Sequence, residues 1–285
     1  MSISEHAGEP GDLAAQGPVR VSWLSRFGIP SLGRLVYLSE LTRELVARDL
    51  KLRYKRTILG VAWSLASPLA QLMVLGFVFR FVLNVQIERY LSFLFTGILV
   101  WNWLHGSLVA SATCVIDNAS LLRRPGFPAP ILPLVAVTTQ FVQFLFSLPF
   151  LLIAATIDSD PISISLVSLP LVMALQFLLT LGVGYFLSTL HVEYRDTSHL
   201  LDVALMLAFY LSPIFYDGRF VPEPYQGIYR LNPVVHLLEA YRDVIVSGRF
   251  PASSTLATLA VAACVAFAVG YWRYRSQRHD FAEGL

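Results

Sequence analysis

The sequence predicts an all-α integral membrane protein. It should have six transmembrane helices, an N-terminal cytoplasmic interfacial helix, and an outer-face amphipathic or re-entrant segment before the last span. Three observations carry this prediction. The 285 residues are 55% hydrophobic and only 14% charged, whereas soluble domains carry about 25% charged residues. Six apolar stretches approach the roughly 20 residues that a helix needs to cross a bilayer. The basic residues gather at the ends of those stretches on one side, as cytoplasmic loops require.

Residues 1–30 mix acids, Gly and Pro and lack an apolar core long enough for a signal peptide. They predict a flexible cytoplasmic tail. Residues 31–56 predict the interfacial helix, with Leu38, Leu41, Leu45 and Leu52 on its apolar side. From Arg48 this helix runs without a spacer into the first span, reading RDLKLRYKRTILGVAWSLASPL. Arg48, Lys51, Arg53, Lys55 and Arg56 carry five positive charges against one from Asp49, and no charge follows between Thr57 and Phe79. Such a junction belongs at a cytoplasmic face, where Lys and Arg stay among anionic headgroups.

The transmembrane domain is predicted at 57–275, with spans at 61–83, 92–116, 129–157, 163–190, 200–216 and 253–272. Pro125, Pro128 and Pro130 lead into the third span. Ser212-Pro213 predicts a kink near the outer end of the fifth. In the sixth, Ala262, Ala266 and Gly270 give a small-residue ridge for close helix packing. Arg123 and Arg124 follow the second span, Arg195 the fourth, and Arg273, Arg275 and Arg278 the sixth, while QIERY and DSDP on the opposite side hold Arg89 alone. This bias puts both termini, including the tail 276–285, in the cytoplasm. The outer segment 217–250 begins turn-rich at VPEPYQGIY. Asn232-Pro233 then starts an amphipathic helix with a stripe of Val234, Leu237, Leu238, Tyr241 and Ile245. It should lie on, or dip into, the outer leaflet.

Composition excludes several functions. A net charge of +2 is too small to argue for nucleic-acid binding. Cys114 and Cys264 lie in apolar stretches and read as two buried small residues rather than a disulfide or metal site. No nucleophile stands with a placed base, and no Cys/His spacing suits a metal.

RDLKLRYKRTILGVAWSLASPL resembles the approach to the first span in ABC-2 type permeases that export lipid-linked polysaccharides such as O-antigen, teichoic acid and mycobacterial galactan. NASLLRRPGFPAPILPL, YRDTSHLLDVALMLAFYLSPIFYD and YRLNPVVHLLEAYRDVIVSG resemble three further segments of that family, in the same order. The resemblance covers most of the chain after residue 35. It implies a homodimeric, non-enzymatic permease in a bacterial plasma membrane, driven by two copies of a separate ABC ATPase subunit. The cargo would be a polysaccharide on an undecaprenyl- or decaprenyl-diphosphate carrier. Consistent with this division, Lys51 and Lys55 are the only lysines and neither sits in a Gly-rich loop. A P-loop needs such a lysine. ATP and Mg therefore belong to the partner, with no cofactor on this chain.

The resemblance also assigns candidate residues. Arg48, Lys51, Arg53, Lys55 and Arg56 anchor the chain at the membrane and are candidates to grip the diphosphate, since Arg offers bidentate and Lys compact phosphate contacts. Arg123, Arg124, Pro125 and Phe127 form a short, stiff turn suited to a groove of the ATPase, with Arg195 nearby at the same face. Trp101, Trp103, Tyr210 and Tyr216 are candidates for a glycan path, each pairing a flat face with a polar tip. Gln71, Gln140, Gln143, Gln176 and His105 are costly within spans, and hydrogen bonds between helices are their first expectation. Glu193, Arg195 and Asp196 predict a charge network at the cytoplasmic end. Two other readings share these features: an ABC-2 exporter of a small hydrophobic compound, and a membrane-embedded glycosyltransferase. The latter would act without an ATPase.

Overall fold

The computed structural model describes residues 32–55, 63–84, 86–158 and 163–277. The predicted tail 1–30, Arg56 and residues 278–285 lie outside the described residues. The helices are, in order, α1 (Leu32–Tyr54), α2 (Trp63–Phe77), α3 (Tyr90–Asp117), α4 (Ala119–Leu122), α5 (Ile131–Asp158), α6 (Leu169–Glu193), α7 (Thr197–Leu211), α8 (Glu223–Tyr229), α9 (Pro233–Ile245) and α10 (Ser253–Gln277). Among the described residues, five helical segments are long and apolar enough to span a membrane, and α7 is a shorter apolar helix.

α3 is the axis. It is apolar around its whole circumference and 72% of its spanning window is buried, the mark of a helix enclosed by others. α5 and α6 pack along it, and α2, α7 and α9 touch it as well. α10 packs mainly against α6. That contact is unusually close. A Cβ built on Gly270 would collide with the Gly182 carbonyl, and one built on Gly182 with the backbone of Ala266 and Phe267. The predicted ridge of Ala266 and Gly270 thus meets a glycine on α6, and both backbones approach because neither residue carries a longer side chain.

Several boundaries differ from expectation for local reasons. α2 passes directly into a π-helical turn at Val78–Val82 that carries Arg80, a charge inside the stretch predicted as the first span. α7 ends at Leu211, and Ser212 is extended at φ −98°, ψ 149°. Pro213 disfavours helical geometry in the residue before it, so Ser212-Pro213 terminates the helix instead of kinking it. The turn-rich VPEPYQGIY contains α8, with Pro224 in its first turn, where a missing N–H costs nothing. α9 begins as predicted: the Asn232 side chain accepts from the Val234 N–H at 3.0 Å and Pro233 follows. The apolar stripe of α9 packs against the rest of the bundle. Leu237, Leu238, Ala240 and Tyr241 are fully buried, against α3, α6 and α10. Cys114 is buried as predicted, but Cys264 is exposed on α10, because the buried face of α10 is narrow and residue 264 lies off it.

Residues 32–41 form the opening turns of α1, where the Ser39 hydroxyl donates to the Val36 carbonyl at 2.8 Å. Further along α1, Leu45 and Val46 are buried while Leu52 is 60% exposed.

Candidate functional site

The basic end of α1 divides between hollows. Arg48 and Arg53 face a cavity of about 220 Å³ whose other walls include Asp117 and Asn118 at the end of α3, and Thr139 and Gln140 of α5. Arg53 and Gln140 also line a second cavity of about 490 Å³ between α2, α3 and α5. Its walls carry Asn102, His105, Gln143 and Ser147 beside Trp63, Trp103 and Phe144. The two cavities share these two side chains and together run from Leu132 to Ser147 of α5, about 22 Å at the helical rise. Arg48, Lys51 and Lys55, with Glu44, border an open hollow that, among the described residues, is formed along α1 alone. Arg48 thus stands between two hollows and Arg53 between two.

Arg48 is also a structural tie. Its guanidinium pairs with Asp49 at 2.9 Å and donates to the Asn118 side-chain oxygen at 3.0 Å. Asn118 in turn donates to the Cys114 carbonyl at 2.9 Å. The basic helix is therefore bonded to the residue that closes α3 and opens the following turn.

That turn is compact. The Phe127 N–H donates to the Arg124 carbonyl at 3.3 Å, and Gly126 has φ +81°. Pro125 at the second position and a left-handed Gly at the third are what a type II turn requires. Arg123, Arg124 and Pro125 are exposed and Phe127 half-buried. Arg195 is exposed at the end of α6. Glu193 does not join Arg195 and Asp196 as predicted. It accepts from Arg273 at 2.7 Å and Gln277 at 3.3 Å instead, because α10 runs alongside α6 and brings those donors closer.

At the other end of the bundle, the segment before α10 is held by Arg242. This buried guanidinium lies 3.4 Å over the Phe93 ring and donates to the Ile214 carbonyl at 2.9 Å. Burial lowers its pKa to about 9, against opposing pulls from Tyr229, Asp217 and Glu239. Arg89 donates to the Val246 carbonyl at 2.7 Å. Asp217 feels burial that would raise its pKa, but hydrogen bonds from Arg219 prevail and hold it below the usual carboxylate value.

The four aromatic candidates do not share one surface. Trp103 lines the cavity between α2, α3 and α5 and packs against Phe141 and Phe144 of α5 at 5.0 Å each. Trp101, two residues away, turns toward α7 and meets Phe209 edge-on at 5.7 Å. Tyr210 is 62% exposed. The Tyr216 hydroxyl donates to the Leu211 carbonyl at 3.1 Å. The in-span amides also separate. Gln71 accepts from Asn102 at 3.0 Å and Gln176 donates to the Val100 carbonyl at 3.1 Å, both between helices as expected. Gln140, Gln143 and His105 instead line the cavity.

Sequence reasoning missed Arg242, Asn118, Tyr185 and Tyr274 as site residues. A signal existed for Arg242: it lies four residues after Leu238 and three before Ile245, within the apolar stripe of α9.

Comparison with known proteins gives this architecture a family. Residues 40–246 match the ABC-2 type transporter family. The chain is 34% identical over 215 residues to an O-antigen export system permease protein of Klebsiella pneumoniae, covering 75% of this chain and 83% of the relative. It is 30% identical over 243 residues to the O-antigen export system permease protein of Myxococcus xanthus, covering 85% and 94%. A polysialic acid transport protein of Escherichia coli is 22% identical over 237 residues, covering 82% and 92%. With a multi-pass helical bundle, a basic helix leading into it and the family match over most of its length, this chain belongs to the ABC-2 type transporter family.

Proposed function

We propose that this chain is the permease subunit of an ATP-driven exporter that moves a lipid-linked polysaccharide out of a bacterial cell. The observation that carries the reading is the position of Arg53. It is, among the described residues, the one cation in the wall shared by two cavities, one leading back to Arg48, Asn118 and the carboxylates of Asp49 and Asp117, the other lined by neutral amides and aromatic rings. That order suits a cargo with an anionic diphosphate at one end and neutral sugars behind it. Arg binds phosphate oxygens in a fork, while amides and aromatic faces receive hydroxyls and sugar rings.

In this reading both termini face the cytoplasm, and the diphosphate of an undecaprenyl- or decaprenyl-type carrier meets Lys51, Lys55 and Arg48 before Arg53. Two copies of the chain enclose the conducting path, to which Tyr210 and Tyr216 contribute. Two ABC ATPase subunits, which hold ATP and Mg²⁺, press on the turn of Arg123, Arg124, Pro125 and Phe127, with Arg195 at the same face. The names of the relatives support the cargo class.

The test is complementation in a host lacking the gene. Wild type should restore surface polysaccharide, and Arg53→Gln should leave lipid-linked glycan accumulating inside while the subunits still assemble. Normal surface polysaccharide without the chain, coupled to loss of resistance to an apolar drug, would overturn the cargo assignment. Glycosyl transfer by the purified chain alone would overturn the transport role.

A further inference from the structure

The stretch after the type II turn has few donors to anchor it. Pro128 and Pro130 carry no N–H. Two buried phenols reach it from different helices. The Tyr274 hydroxyl of α10 donates to the Ala129 carbonyl at 2.9 Å, and the Tyr185 hydroxyl of α6 donates to the Pro130 carbonyl at 2.9 Å. Tyr274 is fully buried, Tyr185 is 5% exposed, and their rings meet at 5.1 Å. Phenylalanine would fill the same volume, so the hydroxyls are there for the carbonyls. Both receiving helices are already joined. Gly182 and Gly270 let their backbones touch, and Glu193 ties their ends through Arg273.

The same pair reaches the far end of the bundle. Just before α6, the Ser165 hydroxyl donates to the Val244 carbonyl at 3.1 Å and the Ser163 hydroxyl to the Gly248 carbonyl at 2.9 Å. A run of short contacts therefore leads from the turn, through two tyrosines and two fused helices, to the end of α9. α6 alone, with 25 residues, covers about 38 Å of it.

We propose that Tyr185 and Tyr274 are positioning residues that lock the 125–130 stretch to the α6–α10 pair, so that displacement of the turn moves this pair as a body and carries α9 with it. The proposal rests on reading the turn as the contact with the ATPase.

The test uses the complete transporter in lipid vesicles carrying Tyr185→Phe and Tyr274→Phe together. The complex should assemble and hydrolyse ATP near the wild-type rate, while glycan moved per ATP falls about tenfold, the scale that two lost buried hydrogen bonds allow. Unchanged transport per ATP overturns the proposal. A second measurement needs no partner. Spin labels are placed at Ser120→Cys and Arg275→Cys of the full chain in nanodiscs, with exposed Cys264 replaced by Ala. The distance distribution should be narrow with both tyrosines and broad in the double variant; equal widths overturn the lock. Should the double variant fail to assemble, Tyr274→Phe alone carries both readouts, with the same outcomes deciding. A wild-type complex without ATP-driven export refutes the functional reading instead, and leaves the spin-label test standing.

Discussion

The guanidinium of Arg242 lies 3.4 Å over the ring of Phe93, a cation from α9 seated on the most buried helix of the bundle. Its Nη2 holds the Ile214 carbonyl, and Gly97 provides the room: a Cβ there would lie 2.7 Å from that carbonyl oxygen. Arg242→Ala should lower the stability of the detergent-solubilised protein by about 2–4 kcal/mol, the sum of a lost cation–π contact, an unanswered carbonyl and a cavity. Arg242→Lys should recover only part of this, because an ammonium cannot stack flat. Thermal melts matching wild type in both variants would refute the clamp.

The α6–α10 contact makes a sharper steric prediction. Gly182→Ala would drive a methyl into the backbone nitrogen of Phe267, where backbone must yield. A loss of about 3 kcal/mol, at the upper end for overpacking, is expected. Gly76→Ala is the control, since a Cβ there meets nothing within 4 Å and alanine favours the helix. Equal melting temperatures for the two variants would argue against the close approach.

Gln71 and Asn102 join α2 to α3 through one 3.0 Å hydrogen bond. Hydrogen bonds between membrane helices are worth about 0.6 kcal/mol on average. A double-mutant cycle with Gln71→Leu and Asn102→Leu should return a coupling of that order. A coupling of zero would mean that the two amides are solvated separately.

The basic residues should not be interchangeable. Arg53 borders both joined cavities, whereas Lys51 and Lys55 line the outer flank of α1. Arg53→Gln should therefore reduce export at least as much as Lys51→Gln and Lys55→Gln combined. Raising the salt concentration should weaken the contributions of all three, since Lys51, Arg53 and Lys55 are all exposed. Equal effects from all three single substitutions would show that only the summed charge matters.

Hydropathy made five spanning helices and the start of α9 legible, because each depends on runs of neighbouring residues. The 3.6-residue period also exposed the ridge of Ala266 and Gly270, though not Gly182, which lies more than 80 positions away from it. What stayed hidden depends on partners distant in sequence. Nothing near Tyr274 announces a carbonyl at Ala129, 145 positions earlier. Glu193 had two neighbouring charges in sequence, and the fold chose Arg273 instead. The cavity residues Gln140 and Gln143 look the same in sequence as Gln71 and Gln176, and only the gap between α2, α3 and α5 separates their roles.

α7 has 15 residues and α3 has 28, which makes them about 22 Å and 42 Å long at 1.5 Å per residue. A hydrocarbon layer about 30 Å thick exceeds α7 by roughly a quarter of its depth. Bilayers answer such a deficit by thinning around the short helix. Just past the end of α7, the Asn232 side chain donates to the Ser212 hydroxyl at 3.1 Å, which ties the segment leading into α9 to that end. α7 by itself is therefore too short to cross such a layer, and the residues beyond Leu211 must supply the rest of the path.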